Sequence, residues 1–304
     1  RDGTLLFLEA APDRAMAIRR LYPDGRTELI RAGDRELLEL SISPNGRRLG
    51  MAALTVDGDS QIWSYDLARN DIVPIGQGAG WDQYPFFFDN DTIGYVSERD
   101  DGRGDLYRRA ADGSGPEIQL SSTLPYRNNP HADRSGRVVA RVSSPETNSD
   151  DIWVFEPGNW DTGIRVVTTS GIDANPKFSA DGGFITFASN RSGRYEVYVV
   201  PYPRGEQDVD WKVTTDGGRD PQWSPDGRAI FYISDGMIYR TEVTGTQPFR
   251  TARPEPFLGY LGDTRNWTVS ADGTHIIAAD ALEPPRPRVI FNLHEELERR
   301  LPTR

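Results

Sequence analysis

Histidine and cysteine side chains supply most transition-metal ligands and many nucleophiles, and this chain holds few of them. It has 304 residues, no cysteine and three histidines, His131, His275 and His294. The histidines lie far apart and lack a short spacing, such as His-x-x-x-His, that would place two imidazoles on one metal ion. Without a thiol there is no cysteine nucleophile and no disulfide. We therefore expect neither a metal nor another cofactor.

Carboxylates are the second group that could do chemistry. The run 100–105 is the densest acidic segment, but it includes Arg103 and lacks the spacing of an EF-hand calcium loop. We interpret it as a solvated loop. Paired carboxylates for glycoside cleavage must face each other, and the candidates Asp82, Asp173 and Asp220 are mixed with asparagines at corresponding places. A hydrolase or lyase therefore remains only an alternative.

Longer catalytic motifs and a basic surface are both absent from the sequence. There is no Gly-x-Ser-x-Gly nucleophile elbow, no His-Arg-Asp loop, no Asp-Phe-Gly and no Gly-rich nucleotide loop. The net charge is −11, with basic residues interleaved among acidic ones, so we expect no nucleic-acid partner. No apolar run approaches the roughly 20 residues that span a bilayer, so we expect no membrane span in this chain.

The elements that must carry these residues are marked by a recurring turn of the type Ser-Pro-Asp-Gly. Clear copies end at Gly46, Gly182, Gly227 and Gly273, and weaker copies end at positions 3, 91 and 136. Successive ends are 43, 45, 45, 46, 45 and 46 residues apart. Asp or Asn folds back onto nearby backbone and Gly adopts a positive φ, so such a pair joins antiparallel strands tightly. A period of this length is typical of propeller blades.

The strands around each turn are apolar on both faces. In the best-preserved unit an inner strand begins at 175, and strands over 184–188, 196–200 and 211–214 follow the turn. A blade packed between two neighbouring blades buries both faces, whereas an open sheet alternates apolar and polar residues. We therefore predict an all-β fold, a single β-propeller domain of seven four-stranded antiparallel blades. The predicted blades cover 1–33, 34–78, 79–122, 123–170, 171–216, 217–260 and 261–293.

The first and last of these blades are incomplete. The first opens at its turn and lacks an inner strand, and the last shows no clear fourth strand. A six-bladed ring with shared terminal strands is the alternative. Leucines recur every four residues at 293, 297 and 301, so we predict a short helix over 292–301 that plugs the propeller edge or binds a partner. Because the chain begins with Arg1, we expect a processed form or a fragment.

Several stretches resemble known bacterial propellers. Asn-Pro-x-Phe-Ser-x-Asp-Gly from Asn175, Phe-Ala-Ser-Asn-Arg-Ser-Gly from Phe187 and Glu-Val-Tyr-Val from Glu196 are similar to TolB-type, WD-repeat-like repeats, and this likeness covers nearly the whole chain. Residues 189–203, 211–215 and 292–304 resemble more closely the C-terminal propellers of membrane-anchored bacterial serine/threonine kinases. At 293–294 the chain has Leu-His where those tails carry an aromatic pair.

The resemblance implies a propeller outside the cytoplasm, in the periplasm or beyond, as part of a kinase-linked or TolB-like envelope protein. TolB-type propellers bind partner proteins, and the kinase-linked ones are regarded as sensors. We therefore expect a non-catalytic, monomeric binding or sensing module whose partner is a protein or a small polar ligand. The alternatives are a propeller hydrolase or lyase with a site in the central channel and a structural spacer.

Blade topology places the candidate binding residues on one rim. In an up-and-down blade the inner strand begins on the face opposite the Asp-Gly turns. Loops on one rim are the usual place for function, and Arg, Asn and aromatic side chains around a channel mouth suit a polar ligand or an anionic protein tail. The alternative is that Asn and Asp before Pro are ordinary turn residues and that Arg191 bridges a neighbouring blade. The predicted rim residues are Trp81, Tyr84, Arg99, Arg127, Asn129, Asn175, Arg191, Arg219, Asp220, Arg265 and Asn266.

Overall fold

The structure is a computed structural model that describes residues 5–8, 16–33, 35–78, 80–99, 104–121, 127–144, 149–205, 209–259, 266–281 and 287–290. These residues form strands, turns and connecting segments, and they contain no helix. The all-β prediction is therefore confirmed for the described part of the chain. The helix predicted over 292–301 lies outside it.

Short strands run along the whole described chain. In chain order they are β1 (Leu5–Leu8), β2 (Met16–Leu21), β3 (Thr27–Ala32), β4 (Leu37–Ile42), β5 (Arg48–Leu54), β6 (Ser60–Asp66), β7 (Asp71–Pro74), β8 (Trp81–Phe87), β9 (Thr92–Glu98), β10 (Gly104–Ala110), β11 (Ile118–Gln119), β12 (Arg127–Ala132), β13 (Val138–Ser144), β14 (Ser149–Glu156), β15 (Asn159–Val167), β16 (Asp173–Phe178), β17 (Phe184–Ser189), β18 (Glu196–Pro201), β19 (Trp211–Lys212), β20 (Arg219–Trp223), β21 (Ala229–Ser234), β22 (Met237–Thr246), β23 (Phe249–Thr251), β24 (Glu255–Leu258), β25 (Trp267–Val269), β26 (Ile276–Ala281) and β27 (Pro287–Ile290).

Most of these strands assemble into antiparallel units of four, which the sequence predicted. Five units follow the chain order, namely β4–β7, β8–β11, β12–β15, β16–β19 and β20–β24, and in the last of these β23 and β24 both pair with β22. A single parallel bridge between Ser60 and Trp81 joins the first two units. A sixth unit has the order β25, β26, β2, β3 and therefore combines strands from both ends of the chain.

The sixth unit joins strands from the first and last predicted blades. β2 pairs antiparallel with β26, with Ile18 opposite Ala279. This pairing satisfies backbone groups that two half-blades would leave exposed at their edges. Thus β2 and β3 of the predicted blade 1–33 and β25 and β26 of the predicted blade 261–293 share one four-stranded sheet, as the alternative with shared terminal strands expects. Outside this sheet, β1 pairs with β27 in a two-stranded ladder.

A common hydrogen-bond pattern closes the Asp-Gly turns between the first and second strands of the units. The Ser179 hydroxyl donates to Asp181 Oδ1 at 2.6 Å and accepts from the Phe184 amide at 2.9 Å. Gly182 has a φ of +69°, and its amide donates to the Ser179 carbonyl at 2.9 Å. The same pattern, with Asn in place of Asp in one copy, occurs at Ser43, Ser224 and Ser270. The sequence repeat is therefore a repeat of turn structure.

The first strands of the six units form a closed circle. In the order β4, β8, β12, β16, β20 and β25 each strand contacts the next, and β25 contacts β4. Side chains also bond across the units, since the Asn266 amide donates to the Leu37 carbonyl at 2.7 Å and Gln222 Nε2 donates to the Trp267 carbonyl at 3.0 Å. This circle of inner strands encloses a central channel.

Apolar clusters fill the spaces between neighbouring units. One cluster combines Val139 and Ile152 of one unit with Ile185 and Phe187 of the next, and all four side chains are fully buried. Such burial of apolar surface is the main force that holds the units together. Packing between units therefore buries both faces of strands such as β5 and β17.

Candidate binding site in the central channel

Four inner strands hold a residue with left-handed backbone at the same position of the repeat. The φ angle is +54° at Tyr84, +53° at Asn129, +54° at Asn175 and +49° at Asp220. Each residue precedes a proline, and the register with the second strand shifts at each of them. A non-glycine residue in this conformation costs on the order of 1–2 kcal/mol. Each bulge places a polar or aromatic residue along the channel.

A cavity of about 80 Å³, which we call the narrow cavity, lies at the level of these bulges. Tyr84, Asn129, Asn175 and Asp220 line it together with Glu39. The Asn175 side-chain amide donates to the Asp220 carboxylate. The structure therefore brings together four of the predicted rim residues, and it adds an acidic residue that the sequence reasoning missed.

A larger cavity of about 270 Å³, which we call the wide cavity, opens on the face of the Asp-Gly turns. This face is opposite the rim that the blade topology favoured. Each of the six inner strands contributes one equivalent residue to its lining. This residue lies five positions before the final residue of the turn that follows the strand. These residues are Ser41, Phe86, His131, Lys177, Gln222 and Thr268. Lys177 and Gln222 also line the narrow cavity, so they lie where the two cavities meet.

Lys177 is the main cationic group inside the channel. Burial lowers its pKa to about 8, while the negative charge of Asp220 acts in the opposite direction. Within the described part of the chain its ammonium group makes no hydrogen bond and no ion pair. The sequence reasoning missed this residue. An alignment of the inner strands, together with the fact that Lys177 and Lys212 are the only lysines, could have drawn attention to it.

His131 takes a structural role beside Lys177. Its Nδ1 atom accepts a hydrogen bond from the Phe178 amide at 3.2 Å, which joins β12 to β16. Burial, aided by the positive charge of Lys177, lowers its pKa to about 3, so the imidazole is neutral at physiological pH. His275 instead packs against Tyr22, with ring centroids 4.9 Å apart and the ring planes tilted by 31°. No group of three potential metal ligands occurs among the residues that the structure describes.

Two predicted rim arginines are bound within their own blades. Arg99 donates to both carboxylate oxygens of Glu117 at 2.7 and 2.8 Å, and its Cζ atom lies 4.2 Å from the centre of the Tyr107 ring. Arg191 forms an ion pair with Asp210 and lies 3.7 Å from the centre of the Tyr198 ring. Asp210 precedes β19 of the same unit, so Arg191 does not form the predicted bridge through this pair.

The other predicted rim residues have different surroundings. Trp81 and Arg219 begin their inner strands and are exposed, Trp81 to 39%. Asn266 is buried at 6% exposure, where it bonds to the backbone of β4. Arg127 begins β12, and Arg265 lies outside the described residues. Of this set, Trp81 and Arg219 have exposed side chains at the starts of β8 and β20.

The predicted carboxylate candidates do not line the channel together. Asp82 is 1% exposed and accepts a hydrogen bond from the Ser97 hydroxyl, and burial raises its pKa to about 6. Asp173 is fully buried and accepts from the Thr169 hydroxyl at 3.0 Å. Only Asp220 lines a channel cavity. Asp82 and Asp173 therefore do not form a facing pair with it.

Solved structures identify this architecture. A putative TolB from Agrobacterium tumefaciens superposes with a TM-score of 0.65 at 15% sequence identity, covering 88% of this chain and 98% of that chain. TolB from Acinetobacter baumannii gives 0.60 at 14%, covering 94% and 68%. A nidogen–laminin complex gives 0.59 at 8%, covering 87% and 97%. No protein-family model and no curated protein matches the sequence. At these identities the likeness shows the fold alone, a β-propeller like that of the two TolB structures.

Proposed function

We propose that this chain is a six-bladed, non-catalytic propeller that binds a protein or a small polar ligand through its central channel and the adjoining rim. The observation that carries the proposal is the channel itself, where six blades contribute side chains to one pair of joined cavities. Pockets with a mostly apolar wall and a few polar groups are typical of ligand sites. The sheet order, with both chain ends in one unit, supports six blades.

We further propose that the propeller acts outside the cytoplasm as part of a kinase-linked or TolB-like envelope protein. The TolB-type fold and the kinase-propeller resemblance of residues 189–203 support this context. Among the described residues there is no helix that is long and apolar enough to cross a membrane. Sequencing the gene upstream of the codon for Arg1 tests the kinase link, since a kinase module followed by a membrane helix is expected. A cytoplasmic domain joined directly to Arg1, with no membrane helix between them, would contradict it.

Site-specific photocrosslinking in living cells tests the binding function. We expect p-benzoyl-phenylalanine at Trp81 or Arg219, on the rim, to trap a discrete partner. The matched control is Ile164 on β15, which is 56% exposed but lies on the outer side of its unit. Crosslinks of equal yield and identity at all three positions would contradict a binding site at the rim.

A channel hydrolase or lyase is the second candidate, because Glu39 and Asp220 both line the narrow cavity. Two carboxylates around one cavity could act as acid and base. If this alternative holds, the chain should turn over oligosaccharide or ester substrates, and Glu39→Gln or Asp220→Asn should abolish turnover. Our proposal expects no turnover from the wild-type chain.

A further inference from the structure

We propose that the wide cavity is a carboxylate-binding site in which Lys177 pairs with the C-terminal carboxylate of an extended peptide segment. This inference rests on the binding function proposed above and names its ligand class. Three features of the cavity carry it, namely the sign of its unpaired charges, its apolar wall and its acidic inner end.

The unpaired charges along the wide cavity are positive. Asp133 lines it, but this carboxylate accepts from Arg137 Nε at 2.7 Å and is therefore neutralised. Arg134 lies on the exposed turn at the mouth, and Lys177 lies at the inner end. Neither cation forms a hydrogen bond or ion pair with any described residue. In a chain of net charge −11, this arrangement attracts an anion specifically into the channel.

The apolar wall of the cavity favours binding of a peptide chain over binding of a bare ion. Ile42, Phe88 and Trp223, which are half-buried, line it with Pro44 and Pro225. Aromatic and proline surfaces pack against peptide backbone and aliphatic side chains, and the volume of about 270 Å³ lies just below the usual range for small-molecule pockets, which begins at about 300 Å³. A ligand that enters from the turn face would therefore pack its body along this wall and place its end at Lys177.

The charges at the inner end of the cavity limit how deeply an anionic ligand can enter. Beyond Lys177 the narrow cavity carries the carboxylates of Glu39 and Asp220. A negative group that advanced past the ammonium would meet these acids and be repelled. A single ammonium matches the single charge of a carboxylate, whereas a phosphate dianion is usually held by several donors. The geometry thus favours a monoanionic chain terminus.

The low lysine content makes a direct test practical. Reductive methylation with ¹³C-formaldehyde keeps the charge of each lysine and labels only Lys177, Lys212 and the chain's amino terminus. The probes are N-acetyl-trialanine with a free carboxylate, the same peptide as its C-terminal amide, sodium acetate and inorganic phosphate. We expect the acid peptide to shift the Lys177 signal and raise its pKa. Lys212, whose exposed side chain pairs with the buried Glu196 carboxylate at 3.3 Å, is the internal control and should not respond.

Variants of the full chain provide the second measurement. Isothermal titration of the acid peptide should show binding at least tenfold weaker to Lys177→Gln and largely retained binding to Lys177→Arg and Lys212→Gln. Circular dichroism and melting of each variant establish that the fold is intact. Equal binding of the amide peptide, unchanged binding to folded Lys177→Gln, or stronger binding of phosphate would each overturn the proposal. If acetate bound as tightly as the peptide, the inference that the ligand is a peptide would be wrong.

The outcome separates this inference from the proposed function. If photocrosslinking at Trp81 traps a partner and Lys177→Gln leaves that crosslink and the peptide titration unchanged, the binding function stands and the carboxylate site is wrong. If no rim position traps a partner while Lys177 binds the acid peptide, the carboxylate site stands and the rim-binding function is wrong.

Discussion

At the scale of single residues, the polar groups of the channel divide into paired and unpaired ones. Arg99 and Arg191 are held by carboxylates and by tyrosine rings of their own blades, so they brace loops. Lys177 has an equal charge and no such partner among the described residues. A partly desolvated ammonium that makes no hydrogen bond raises the free energy of the folded state. It therefore marks a position where a ligand can supply the missing interaction.

His131 gives a prediction at this scale. His131→Ala removes the acceptor of the Phe178 amide, so we expect a loss of about 1–3 kcal/mol in the free energy of unfolding at pH 7.5. His131→Asn keeps an acceptor near the Nδ1 position and should lose less. Urea unfolding followed by tryptophan fluorescence measures both variants. Equal losses for Ala and Asn would contradict a stabilising hydrogen bond between the two blades.

The same residue sets a pH dependence. The folded-state pKa of about 3 lies below the value near 6.5 that His has in an unfolded chain. As the pH falls, the unfolded state takes up the proton first. The contribution of His131 to stability is therefore complete above about pH 6.5 and is lost as the pH falls toward 3. The stability gap between the wild type and His131→Asn should narrow over this range, and a constant gap would refute the assignment.

At the scale of elements, the turn between the first and second strands recurs from unit to unit and contacts the equivalent turn of the adjacent unit. Gly46 and Gly227 have nearly the same φ, +71° and +70°, in equivalent turns. A Cβ atom on Gly46 would lie 2.7 Å from the Cβ of Ala271, whereas one on Gly227 would lie 3.6 Å from the Cβ of Ala180. The conformation of each turn is thus set by its own residues. How well its glycine tolerates substitution depends on the adjacent blade.

This pair yields a matched prediction. Gly46→Ala and Gly227→Ala should each lose about 1–2 kcal/mol because alanine is strained at positive φ. Gly46→Ala should lose about 1–3 kcal/mol more because of its collision with Ala271. Adding Ala271→Gly should restore Gly46→Ala to the level of Gly227→Ala in urea unfolding. If the second substitution rescues nothing, the turns of these two blades do not press on each other.

At the scale of the whole molecule, the ring depends on a sheet built from both chain ends. Ile18 of β2 is 3% exposed and packs in one cluster with Leu40 and Met51 of the next unit. The closing sheet is therefore tied to its neighbour by a hydrophobic core as well as to β26 by hydrogen bonds.

Ile18→Ala tests this closure. We expect it to lower the free energy of unfolding by about 2–5 kcal/mol, since it leaves a cavity in that core. Leu29→Ala on β3, where the side chain is 57% exposed, is the control and should change it by less than about 0.5 kcal/mol. Tryptophan fluorescence and far-UV circular dichroism should report one shared transition in both variants. Separate transitions, or a neutral Ile18→Ala, would argue against closure through this sheet.

The sequence predicted the parts of the site that repeat. The residue before proline in four of the inner strands could be read from the repeat, and the structure places Tyr84, Asn129, Asn175 and Asp220 around one cavity. Sequence reasoning selected Arg99 and Arg191 by residue type, but their partners Glu117 and Asp210 come from separate loops whose register no local pattern reveals. It also favoured the rim opposite the wide cavity, because loop positions alone carry no information about channel width.

The amino-acid sequence by itself determined the structure of a single blade. Ser179, Asp181 and Gly182 close their turn through contacts within a few residues, and apolar faces on both sides of a strand require a neighbour on each side. These interactions are local or periodic, so the sequence encodes them directly. Only the tertiary structure decided how the chain ends meet and where the unpaired ammonium of Lys177 lies. Pairing between β2 and β26, some 260 residues apart, depends on closing the ring, and the channel exists only once all six inner strands surround it.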